Sequence, residues 1–176
     1  GSSLGGWIAW EFAVLMEHRI DKMILINAAG YITNRKYPLP FIIAQTPLLS
    51  KAFNYHLVPK IFVRKLLKQV IYDPQIITDE LVDRYYDLAH RKGNMDAFKI
   101  ISNSRFRQNT DALKTIKTPT LVIWGDKDSW ISVKDAELFK NDLQNVQVEI
   151  YKGVGHIPME EIPEKSCKDA LDFLIQ

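Results

Sequence analysis

The chain has 176 residues, 47% of them apolar and 25% charged, and a formal net charge of +2. That is the balance of an ordinary soluble domain with a sizeable core. The charge is too small for the basic footprint of a nucleic-acid binder. No apolar run is long enough to span a bilayer, and the single cysteine, Cys167, excludes an internal disulfide.

One thiol fits a reducing, cytoplasmic compartment, and Cys167 reads as a small apolar filler on the last helix. Residues 4–16, LGGWIAWEFAVLM, resemble the apolar part of a signal peptide. No basic segment precedes them, Glu11 interrupts them and a strand-like run follows, so they read as a buried helix, apolar nearly all round.

Gly1 to Gly6 is a glycine-rich turn leading into that helix, expected from Leu4 to about Glu17. His18 to Lys22 is polar. MILIN at 23–27 is a short run of strand formers ended by small residues, as a buried parallel strand would be. After Pro119, TLVIW at 120–124 predicts a second buried strand stopped by Gly125. Val133 to Leu143 is an amphipathic helix, VQVEIY at 146–151 alternates as a third strand, GVGHIP is a turn, and Pro163 to Leu174 is a last helix. Strand and helix alternate, which implies parallel pairing with right-handed crossovers.

The middle, 31–117, differs. It is rich in proline and aromatics and is too long for a loop between strands, so it reads as an inserted helical subdomain. One helix starts after Thr78, a candidate N-cap, with Leu81, Tyr85 and Leu88 on one face; another covers about Met95 to Ser102. This middle carries 15 Lys and Arg against 7 Asp and Glu, a charge of +8, which leaves −6 for the rest. A basic lid on an acidic core is the simplest description, and solvated surface charge accounts for it.

The chemistry sits at the strand ends. The opening GSSLGG contains G-x-S-x-G with Ser3 at its centre. In that motif the serine occupies a strained turn between strand and helix, and glycines, here Gly1 and Gly5, let the backbones approach. The helix that follows directs its N-terminal dipole at the site, and the backbone N–H of Leu4 is a donor for an oxyanion. Serine needs a base oriented by an acid. Of four histidines, His18, His56 and His90 read as surface or satisfied core positions, whereas His156 lies in G-V-G-H-I-P just past the third strand, where chemistry collects in open α/β sheets. Asp126 and Asp128 both follow the second strand in GDKD, and either suits the acid. The order Ser, Asp, His is that of α/β-hydrolases and of neither serine protease order.

GSSLGG, PTLVIWGDKDSWI and GVGHIPMEEIPE resemble the nucleophile elbow, acid turn and histidine turn of the α/β-hydrolase superfamily. They look most like the lidded group of carboxylesterases, meta-cleavage-product (C–C bond) hydrolases, haloperoxidase-like enzymes, epoxide hydrolases and haloalkane dehalogenases. The resemblance implies a partial α/β-hydrolase fold, with core at 1–30 and 118–176 and a helical lid at 31–117 between the sixth and seventh strands of the usual eight. It makes Asp128, the last residue of G-x-x-D, the acid, and Ser3, Asp128 and His156 the catalytic triad. Dehalogenases and epoxide hydrolases of this family use an aspartate as nucleophile, so Ser3 implies acyl transfer on a small, mostly apolar carbonyl substrate, an ester or a vinylogous C–C compound, with no metal or organic cofactor. Trp7 and Trp130 are candidate pocket residues, while Trp10 and Trp124 read as structural. A non-catalytic ligand-binding member of the fold and an acyltransferase using the same triad are the alternatives.

The resemblance also implies five strands before Ser3 and a loop giving a second oxyanion donor. Without them the strand at 23–27 is expected to present an open, apolar edge. The 176 residues alone are then expected to be inactive or nearly so, and unstable or associated, until an N-terminal segment completes the sheet.

Overall fold

The computed structural model describes residues 1–31, 39–46, 58–104 and 109–176. The chain divides into two compact units: Gly1–Tyr31, Gln69–Pro74 and Gln108–Gln176 form the first, and Ile32–Lys68 with Gln75–Arg107 the second.

The first unit is built on three parallel strands in the order β1 (Met23–Ile26), β2 (Thr120–Gly125), β3 (Val146–Tyr151). Met23 pairs with Thr120 and Ile26 with Ile123; Thr120 pairs with Val146 and Gly125 with Tyr151. Every residue of β2 is buried, which explains its unbroken apolar run. Alternate side chains leave on opposite faces. Val122 and Trp124 join Met23, Leu25, Trp10, Ala13 and Phe139 in one cluster. Leu121 and Ile123 join Tyr151, Val154 and Phe173 in another. Helices α1 (Leu4–Met16) and α6 (Lys134–Asp142) supply the first face, and α8 (Pro163–Ile175) the second.

Two side chains tie the strand beginnings down. The Glu17 carboxylate accepts from the backbone N–H of Lys117 and Thr118 and from the Thr118 hydroxyl. Those bonds hold it below its usual range, the Lys117 amide contributing most. Lys22 donates to the terminal carbonyls of α8 at Phe173 and Leu174.

The second unit holds α2 (Leu39–Gln45), most of α3 (Lys60–Val70), α4 (Asp79–His90) and α5 (Asn94–Asn103). Thr78 caps α4, its hydroxyl accepting from the Leu81 N–H at 3.1 Å. The Gln45 amide donates to the Ser102 carbonyl, and the Phe41 and Phe98 rings meet edge to face. Among the described residues no helix is long and apolar enough to cross a membrane.

Several expectations change. Helix α1 buries only the stripe of Gly6, Trp7, Trp10 and Ala13; Ile8, Phe12 and Leu15, on the opposite face, are exposed. On α4 Leu81 and Val82 are buried while Leu88 is exposed, so the inward face is turned about one position from the expected one. Cys167 is exposed and Ser166 is buried: the inward stripe of α8 runs through Ser166 and Phe173, and Cys167 lies a residue off it. A short helix, α7 (Pro158–Glu161), follows the histidine turn, with Pro158 at its start. The edge of β1 is partly covered, because Ser2 bridges Ile26 in parallel fashion and Ile26 donates to the Gly1 carbonyl.

Candidate active site

Ser3 stands where Gly1 and Ser2, bonded along β1, give way to α1. Its backbone has φ 51° and ψ −120°, a region that non-glycine residues occupy only under strain. Two backbone bonds hold it there: the Ser3 N–H donates to the Ile26 carbonyl at 3.0 Å, and the Ala29 N–H donates to the Ser3 carbonyl at 2.9 Å. The hydroxyl makes no capping bond to α1. Glycine is needed at 1, where a Cβ would lie 2.2 Å from the Gly5 carbonyl oxygen, and at 6, where it would lie 2.5 Å from the Ala28 Cβ. Gly5, expected to be the tight position, faces open space. The close approach is between the second glycine of the pair and the segment after β1.

Asp128 follows β2, and both of its oxygens are engaged. Oδ1 accepts from the backbone N–H of Trp130 at 2.8 Å and of Ile131 at 2.9 Å. Oδ2 lies 2.7 Å from His156 Nδ1 and 2.6 Å from Asn27 Nδ2. The Asp128 side chain is wholly buried and that of His156 nearly so. A carboxylate only accepts, so the proton between them belongs to Nδ1, which leaves Nε2 as the basic nitrogen of the ring. Asp126, the other candidate, instead accepts from the Gly153 N–H at 2.7 Å and pins the turn after β3.

His156 is held through its backbone as well. Its N–H donates to the Val70 carbonyl at 2.6 Å. Glu161, on α7, accepts from the Gly155 N–H and from the Tyr72 N–H. Burial pushes the Glu161 carboxyl above its usual range, against the pull of these N–H donors. The Ser129 hydroxyl donates to the Gln69 carbonyl. Gln69–Pro74 thus belongs to the first unit and is fastened to the turns that carry Asp128 and His156.

Of the candidate pocket residues, Trp130 packs its ring 5.4 Å from that of His156, and Trp7 is buried, stacked on Trp10 and donating to Glu11. Trp10 and Trp124 are wholly buried, with indole N–H groups on the carbonyls of Ala29 and Ile131. His18 is exposed, His90 is bonded to the Tyr86 carbonyl, and His56 lies outside the described residues. Leu4 opens α1 directly after Ser3. Among the described residues no group of three or more His, Cys, Asp or Glu could hold a metal ion.

Sequence reasoning missed Asn27. It is wholly buried, with φ 44°, directly after β1. Its Nδ2 bonds Asp128 and approaches the Gly155 carbonyl at 3.4 Å, while its N–H donates to the Ile123 carbonyl. The available signal was an asparagine ending an apolar strand, the residue type that best tolerates a left-handed backbone.

A three-stranded parallel sheet packed between helices, with Ser3 opening α1 beside β1 and with Asp128 and His156 just past β2 and β3, is a partial α/β-hydrolase fold. The chain belongs to the Hydrolase_4 family, serine aminopeptidase S33, whose pattern matches residues 1–163. It is 28% identical to the monoacylglycerol lipase abhd6-B of Xenopus laevis, over 99% of this chain and 53% of that protein. It is 25% identical to a 2-hydroxy-6-oxononadienedioate/2-hydroxy-6-oxononatrienedioate hydrolase of Paraburkholderia xenovorans, over 99% of this chain and 60% of that protein. A meta-cleavage product hydrolase, CumD, superposes with a TM-score of 0.81 at 22% identity, over 99% of this chain and 63% of that one. A bacterial membrane phospholipase A gives 0.75 at 27% identity, over 99% and 55%. The chain spans about half the length of the first curated relatives it matches.

Proposed function

We propose that the protein is a serine hydrolase that cleaves an ester-like or vinylogous C–C bond of a small, mostly apolar carbonyl compound through an acyl-enzyme. The observation that carries this reading is the buried pair of Asp128 and His156, 2.7 Å apart, in a chain whose G-x-S-x-G serine has a left-handed backbone. The names of the relatives support the substrate class, since a monoacylglycerol and a 2-hydroxy-6-oxo dienedioate both present a carbonyl group.

In this reading Ser3 Oγ attacks the carbonyl carbon and its proton passes to His156 Nε2. The oxyanion that forms is met by the Leu4 N–H at the start of α1, where the helix dipole is favourable. The carbon–leaving-group bond breaks as His156 returns the proton. Water then repeats the sequence on the acyl-enzyme, releasing the acid and restoring Ser3. Asp128 keeps the proton on Nδ1 and offsets the charge of the imidazolium. The helical stretch within 31–117 serves as the lid, and Trp130, beside His156, lines the pocket. No cofactor takes part.

Two measurements on the full-length protein test the reading. A fluorophosphonate probe is expected to label wild type at Ser3 and to leave Ser3→Ala unlabelled, and a p-nitrophenyl ester is expected to turn over in step with labelling. Labelling elsewhere, or none, overturns the assignment. Labelling without turnover points to a ligand-binding member of the fold, and alkyl ester formed in added alcohol points to an acyltransferase.

A further inference from the structure

Asp128 does not orient His156 unaided. Two of its four hydrogen bonds come from its own turn, at Trp130 and Ile131, and fix Oδ1. The oxygen that faces the imidazole, Oδ2, has one other donor, the Asn27 amide at 2.6 Å. Asn27 follows a different strand, 101 residues away in sequence.

The orientation of that amide follows from its neighbours. Asp128 Oδ2 and the Gly155 carbonyl oxygen can only accept, and both face the same end of the Asn27 side chain. That end must be the NH2 group. Asn27 Oδ1 is buried and has no hydrogen-bond partner among the described residues. A buried carbonyl oxygen without a partner is costly, as is a left-handed backbone on a residue with a side chain. A glycine at 27 would remove both costs. Neither cost is needed by the fold of β1, which ends at Ile26. Both accompany one gain, a donor placed on the oxygen that orients His156.

The same short segment also holds the elbow. Ile26 accepts from the Ser3 N–H, and Ala29 donates to the Ser3 carbonyl. Asn27 lies between these two bonds, so one stretch of four residues registers Ser3 on one side and Asp128 on the other.

We infer that Asn27 is a positioning residue: its side-chain amide locks the Asp128 carboxylate in the rotamer that aims His156, and its backbone segment sets that pair in register with Ser3. The inference rests on the reading of Ser3, Asp128 and His156 as a triad. The titratable side chains bonded within this cluster are Asp128, on Asn27, and His156, on Asp128.

Two variants test it in the full-length protein. Asn27→Gly keeps the left-handed backbone without strain and removes the amide. It is expected to lower kcat by about 10²-fold, the typical cost of a small misplacement of a catalytic group, with KM little changed. Asn27→Asp keeps the shape and sets a second carboxylate on Asp128. Two carboxylates at this spacing share one proton, and the protonated pair mimics the amide. The ratio of Asn27→Asp to wild-type kcat/KM is therefore expected to be highest at the acid end of the range and to fall as pH rises. A merely structural role would lower folded protein in both variants and leave the profile per labelled site parallel to wild type. Counting active sites with the fluorophosphonate probe separates the cases. If wild type is not labelled at Ser3, the triad reading fails. If wild type is labelled and both variants match its kcat and its pH profile, the role of Asn27 is overturned. Should Asn27→Gly fail to fold, the pH profile of Asn27→Asp decides alone.

Discussion

The two compact units hold their residues in place by different means. In the α/β unit the wholly buried side chains include Trp10, Trp124, Phe139 and Asn27, and the decisive bonds join residues far apart in sequence, as Asn27 to Asp128 or Glu17 to Thr118. In the helical unit the Gln45 amide also reaches far along the chain, to the Ser102 carbonyl, but beside that bond stand a helix cap and exposed pairs. Thr78 caps the helix it precedes, Arg64 pairs with Asp79, and Lys60 pairs with Asp83 across exposed surface. Long-range bonds to buried groups make a geometry that cannot relax piecemeal. Local caps and exposed pairs contribute little each and can be replaced one at a time. Precision belongs with the first design and tolerance with the second.

The sharpest test of that contrast is Asp128→Asn. Asparagine keeps the size and can still accept from Trp130 and Ile131, but it no longer sets the His156 tautomer. We expect kcat to fall by ~10⁴-fold, read as ester turnover per labelled site, with thermal stability far less affected. Next in size is Phe139→Ala, which empties a wholly buried position packed against Tyr31 and Trp124. It should cost roughly 3–5 kcal/mol in denaturant unfolding. Thr78→Ala, in the helical unit, should cost about 1 kcal/mol through the lost cap on α4, with faster amide exchange at Leu81 and no change in turnover. A loss of turnover as large as that of Asp128→Asn would break the contrast.

The smallest effect is electrostatic. Glu17 has a carboxyl held below its usual range in the fold, so it adds stability above its unfolded pKa and loses it as pH falls through the folded one. Glu17→Gln should therefore be less stable than wild type at neutral pH, and the gap should close on acidification below the ordinary carboxylate range. Melting curves across that range measure it, and a gap independent of pH would assign the loss to the backbone bonds alone.

Much of the core was legible because its signals are local. MILI and TLVIW are apolar runs bounded by turn residues, and both are strands with the expected limits to within a residue or two. Asp128 and His156, singled out as polar residues in glycine-containing turns just past strands, do lie side by side. Asn27 was not legible, because its meaning depends on a partner about a hundred residues on. Nor was the exposure of Ile8, Phe12 and Leu15, since an all-round apolar helix does not say which face is covered. Cys167 and Leu88 went astray by about one position, which on a helix turns a side chain by some 100°. The lid boundaries drawn from composition cut across Gln69–Pro74, whose attachment to the α/β unit is a matter of hydrogen bonds to Ser129, His156 and Glu161.

That attachment bears on how such a protein could be re-engineered. A chimera that imports one continuous stretch of foreign helices for 32–107 would discard the Val70 carbonyl on which the His156 backbone rests. The transplant has to be made as two cassettes, one on either side of an untouched hexapeptide. A library of variants is best confined to those cassettes, since shuffling the six residues between them would disturb the backbone hold on His156.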